Sequence, residues 1–121
     1  MRGLTICRGQ GPVDWSPVEI WRCMSFPKFK QEWDINNDGV KFCKKVGVNA
    51  YIYYSKLKSK SVLASRDFVM NYICNMEADG SLVVACSSYN CDFELRSKDG
   101  IVRGDIAIGG LLIEPVKGNP K

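Results

Sequence analysis

The sequence predicts an α+β domain in which helices come first and a curved antiparallel sheet follows. Three observations carry that prediction. The run Ser16-Pro17-Val18-Glu19 has the residue types of a helix start. Apolar spacing changes from helical to period two after Gly39. Asp-Gly pairs then separate the β-rich runs, as hairpin turns do and βαβ crossovers do not. With 121 residues, the chain is at most one domain with a single core.

Taken in order, residues 3–8 form a short strand candidate ended by Gly9 and Gly11-Pro12. Ser16 is placed to cap a helix, Pro17 suits its first position, and Glu19 completes a capping box. Trp15 and Ile20 stand where a hydrophobic staple would put them. This helix should bury Ile20, Trp21 and Met24 on one stripe and stop before Pro27. A second short helix should carry Phe29 and Trp33 on one face and end at Trp33-Asp34 and the turn Asn36-Asn37-Asp38-Gly39. Strands are expected over 40–46, 50–58, 67–76, 81–89 and 101–114. Their boundaries are Asp38-Gly39, Gly47, Asp79-Gly80 and Asp99-Gly100.

Strand parity then sorts the side chains. Phe68, Met70, Tyr72 and Cys74 share one face, as do Tyr51, Tyr53, Ser55 and Leu57. Tyr54, Lys56 and Lys58 share the other face of their strand and should look to solvent, which turns Tyr53 and Tyr72 inward.

Composition narrows the chemistry. There is no histidine, which removes Cys-His and Ser-His nucleophilic sites and histidine-based metal sites. Cysteines 7, 23, 43, 74, 86 and 91 contain no CxxC pair and read as small buried hydrophobes. Glu77, Asp79, Asp92 and Asp99 lie in or near turns, leaving Asp105 and Glu114 as the strand-borne carboxylates. No catalytic residue, metal or cofactor is expected. No window reaches ~18 apolar residues and no signal peptide is legible, so a cytoplasmic location is expected. The net charge of +4 is spread along the chain, and aromatic and basic residues do not interleave on one face, which argues against nucleic acid. The densest basic group, Lys56, Lys58 and Lys60, reads as a solvated strand edge or as a patch for anionic lipid head groups.

Three blocks carry a family resemblance: SPVEIWRCMSFPKFKQEWD, YYSKLKSKSVLASRDFV and GIVRGDIAIGGLLIEP. In this order they resemble the START domain, the steroidogenic-acute-regulatory-related lipid transfer module, across residues 1–121. The resemblance implies a helix-grip fold (START/Bet v 1-like), in which a curved antiparallel sheet and helices enclose one lipid. It also implies that the family's N-terminal elements and long C-terminal helix lie outside this chain.

The expected function is therefore non-catalytic binding of one lipid, for transfer or sensing, with transient membrane contact. The alternative is a regulatory or interaction module without lipid. The resemblance places Lys30 and Asp34 near a phospholipid head group, and Tyr53 and Tyr72 at the polar spot of the sterol-binding tunnel. Two tyrosines there depart from the acid-base pair of sterol binders, although their hydroxyls suit a lipid hydroxyl or carbonyl. Phe68 keeps an aromatic ring of the choline cage, whereas Ser55 replaces another. Met70 shares their face. Phospholipid, sterol and sphingolipid all remain open as ligands. Trp33, Arg66, Asp67 and Arg103 are expected to be architectural, with Arg66 and Asp67 fixing loop 58–66 against the strand by hydrogen bonds and ion pairing with Arg103 or Asp105, because an unpaired charge facing a lipid chain is costly.

Overall fold

The computed structural model describes residues 3, 5–60, 64–89 and 100–118. Helices α1 (Pro17–Ser25) and α2 (Pro27–Trp33) precede six strands: β1 (Asn37–Lys45), β2 (Ala50–Leu57), β3 (Arg66–Met76), β4 (Leu82–Ser88), β5 (Val102–Arg103) and β6 (Gly109–Ile113). The sheet runs β1-β2-β3-β4-β6 with antiparallel neighbours, and β5 lies parallel to β3. Cys91, Asp92, Asp99, residues 61–63 of the β2–β3 connection and the tail 119–121 lie outside the described residues.

The helix start forms as the sequence predicts. Ser16 Oγ accepts from the Glu19 amide at 3.3 Å, and Glu19 Oε2 accepts from the Ser16 amide at 3.0 Å. Pro17 occupies the first turn, where its missing N–H costs nothing. Ser16→Ala should lose about 1 kcal/mol of stability, measured by urea denaturation; no change would mean that packing alone sets the α1 start. Trp33 Nε1 donates to the Cys23 carbonyl at 2.7 Å and ties the end of α2 to α1. Asp34 closes α2 with its amide on the Lys30 carbonyl, and its Oδ1 accepts from the Asn36 amide at 3.1 Å. Asp34 is thus the turn-former that leads the chain into β1.

Three expectations need correction. Residues 5–8 form no strand; they are exposed and pair with no sheet edge. Asp38-Gly39 is a bulge inside β1 and not a turn, because Asn37 Oδ1 takes the Gly39 amide and the β1–β2 register shifts there. A second shift between Phe42 and Lys44 adds to the bend of this edge. The strand expected over 101–114 is broken into β5 and β6. Val102 and Gly104 donate to the Ser65 and Asp67 carbonyls, while Ile106 exchanges bonds with Ser88 at the end of β4. Gly104 permits the break: a Cβ there would lie inside the Phe68 ring.

The face expected to be solvated is also partly sealed. Ile52, Asp67 and Val69, on the same side as Tyr54 and Lys56, are essentially buried. Lys56 crosses to Asp38 at 2.8 Å, while Lys58 and Lys60 lie beyond the end of β2. The buried carboxylate is fully coordinated. Arg103 Nε donates to Asp67 Oδ1 at 2.6 Å, Nη2 donates to Oδ2 at 3.3 Å, and the Tyr54 hydroxyl donates to Oδ2 at 3.1 Å. Two charges at the start of β3 therefore serve different ends: Asp67 turns into this buried pair, and Arg66 remains exposed.

Candidate functional site

On the opposite, concave face, β2 and β3 place Tyr51 across from Tyr72 and Tyr53 across from Met70; β4 sets Val84 across from Cys74. Helices α1 and α2 lie over these residues, and Trp21 packs edge-on against Phe26 at 5.3 Å. Between helices and sheet is a half-open apolar pocket of about 140 Å³. Its helical wall includes Trp21, Met24, Phe26 and Lys30; its sheet wall includes Tyr53, Ser55, Met70 and Tyr72. The apolar stripe of α1 is half-buried, with Trp21 and Met24 on the pocket. Ile20 and Trp15 both line a separate cleft against β6.

Aromatic rings continue across the sheet wall. Tyr53 meets Tyr72 edge-on at 5.5 Å and Phe42 at 5.7 Å, and Tyr51 lies 6.4 Å from Tyr53. Such edge contacts fix ring orientation and hold the hydroxyls at defined points along the wall. The Tyr72 hydroxyl contacts the Met70 sulfur at 3.8 Å, a weak acceptor, so its proton is available to a stronger one.

The pocket keeps its acids neutral. Burial pushes the Tyr72 phenol up to about 12, with smaller contributions from the Cys86 thiol and Tyr53. Burial also raises Tyr53 and Cys74. Cys86 is raised by burial and pulled the other way by the Lys30 ammonium. Lys30 is the one basic side chain among the described lining residues. Because the folded-state pKa of Tyr72 is raised, its contribution to stability is complete below pH 10. That contribution is lost as pH rises from 10 through about 12. Tyr72→Phe should flatten the stability loss in this window, as followed by chemical denaturation; an unchanged alkaline limb would assign it to other groups.

The sequence-predicted site residues therefore separate. Lys30, Tyr53, Ser55, Met70 and Tyr72 line one pocket, whereas Asp34 and Phe68 do not. No Lys30–Asp34 ion pair forms, because the Asp34 carboxylate accepts from the chain ahead of it. Phe68 packs against Gly104. Asp105 and Glu114 are exposed outside the strands, away from the pocket. Phe26, Val40 and Val84 also line it and were not singled out from the sequence. Among the described residues, no group of three or more His, Cys, Asp or Glu side chains is placed to hold a metal, and no helix is long and apolar enough to cross a membrane.

Comparison with known proteins bears on the same features. The family model of the START domain matches residues 17–120. No curated protein sequence matches the chain. Among solved structures, human STARD10 superposes with a TM-score of 0.78 at 19% identity, over 88% of this chain and 42% of that one. Human StAR-related lipid transfer protein 5 gives 0.75 at 21% identity, over 84% and 49%. The human StarD13 (DLC2) lipid transfer and protein localization domain gives 0.70 at 23% identity, over 85% and 50%. The chain thus spans about half the length of these structures or less, and at such identities the likeness shows the fold.

Proposed function

The chain belongs to the START domain family, and from that premise we propose that it binds a single lipid without chemistry, for intracellular transfer or sensing. The observation that carries this reading is the apolar pocket between the helices and the concave sheet face. Burial would drive binding, at about 0.8 kcal/mol for each enclosed CH₂. Tyr53, Ser55, Tyr72 and Lys30 would receive the polar end, Met70 would line the floor, and Asp34 and Phe68 would act at a distance by shaping the α2 end and the β3–β5 contact. A volume of about 140 Å³ is close to that of apolar cavities that admit benzene. The enclosed part of the ligand is accordingly one portion of a lipid, with the remainder lying along the open trough. A cytoplasmic site of action and transient contact with membranes belong to the same proposal.

Native mass spectrometry of the chain purified from cells tests it. A compact protein with a lipid-sized adduct supports binding, and fragmenting the adduct names the lipid class. Broad, highly charged states would overturn the reading for this chain.

A second reading, an interaction module without lipid, is favoured by one observation. Phe26, Phe29, Trp33 and Ile35 are all exposed around α2, an apolar surface of the kind that binds partners. The human StarD13 domain, named for both lipid transfer and protein localization, pairs the two roles. A compact but persistently empty protein would select this reading.

A further inference from the structure

A second pocket lies beyond the end of β2, distinct from the apolar trough. It has a volume of about 260 Å³, and its described lining residues are Asn36, Leu57, Lys58, Lys60, Ala64 and Arg66. Three of these six residues are cationic. The carboxylates nearby, on β1 and β3, are already engaged: Asp38 is paired with Lys56 at 2.8 Å, and Asp67 with Arg103. Among the described residues, Lys58, Lys60 and Arg66 form no salt bridge, although the Lys58 charge helps to hold the Asp38 carboxyl low. Three like charges around one hollow repel one another unless a multivalent anion joins them. An arginine fork between two lysines suits a phosphate, which it can grip through two oxygens while the ammonium groups balance the remaining charge.

The position adds a second argument. On β2, Ser55 lines the apolar trough and Leu57, the next residue on that face, lines the basic pocket. The two pockets are therefore about 7 Å apart along one strand. Leu57 and Ala64 give the basic pocket an apolar side, as an amphiphile would require and a free inorganic ion would not.

We propose that this pocket takes the phosphate of an anionic lipid head group at a membrane surface, and so docks the Leu57 end of the trough against the bilayer. The site is independent of whatever occupies the trough, and it can succeed where the cargo reading fails.

The test is sedimentation of the whole chain with vesicles of phosphatidylcholine alone or containing phosphatidic acid, at physiological salt. Each basic residue near an anionic surface multiplies partitioning roughly fivefold, so Lys58→Gln/Lys60→Gln should bind on the order of 25-fold less. Lys28→Gln/Lys41→Gln removes the same charge elsewhere and should lose only a fewfold. Nuclear magnetic resonance with the phosphatidic acid vesicles should broaden the signals around Lys58 and Arg66. Equal losses in the two double variants would overturn the proposal by showing that overall charge alone acts. Signals at Lys58 and Arg66 that respond to inorganic phosphate while the vesicles sediment no protein would also overturn it, assigning the pocket to a soluble phosphate.

Discussion

Arg103→Ala should destabilise the protein by about 3 kcal/mol, because it leaves Asp67 buried and uncompensated. Removing one partner of a buried pair typically costs about 3–5 kcal/mol. The lower end applies here, since Arg103 is itself 40% exposed and the Tyr54 hydroxyl would remain on the carboxylate. Adding Asp67→Asn should recover part of the stability at neutral pH by removing the stranded charge. Urea denaturation at neutral pH is the measurement. A deficit below about 1 kcal/mol, the range of exposed ion pairs, would mean that water reaches Asp67 and that the pair is not what anchors β5 to β3.

Val40→Trp should abolish most lipid binding while leaving the fold intact. Val40 is half-buried on β1, and its side chain borders the apolar pocket, so added volume displaces ligand before it disturbs the core. Displacing three methylenes would weaken binding by about 2.4 kcal/mol, on the order of 50-fold. The same change in the buried core at Val69 would instead strain the sheet. Titration with a fluorescent fatty-acyl probe, alongside thermal denaturation of each variant, separates the two effects. A folded Val40→Trp protein with undiminished probe affinity would place the ligand elsewhere on the molecule.

What was legible in the sequence follows the range of the interactions concerned. The capping box at Ser16 and Glu19, the Asp79-Gly80 hairpin with Gly80 at φ 88°, and the inward parity of Tyr53, Met70 and Tyr72 are decided within a few residues. The break at Gly104 is not. It exists because Phe68, far back in the chain, needs the space a Cβ would fill, and nothing around residue 104 announces that. Asp38-Gly39 looked like a turn because Asp-Gly usually is one. The β1–β2 pairing and the Asn37 side chain absorb it as a bulge. The position of Phe26 on the pocket and the removal of Asp34 from it both depend on how α2 is set against the sheet. That angle is a tertiary property, written in no single segment.

The parallel β3–β5 contact has a consequence for the order in which the chain folds. Strands β1 to β4 form by successive hairpins between neighbours, whereas the Asp67–Arg103 bond closes a separation of 36 residues. Loop closure of that length must precede the reward of the contact. The meander should therefore condense first and β5 should arrive after the rate-limiting barrier. In stopped-flow measurements Arg103→Ala would then accelerate unfolding and leave the refolding rate nearly unchanged; slower refolding would put the contact in the nucleus. A late-closing clasp of this kind governs how long the native state survives more than how quickly it is reached.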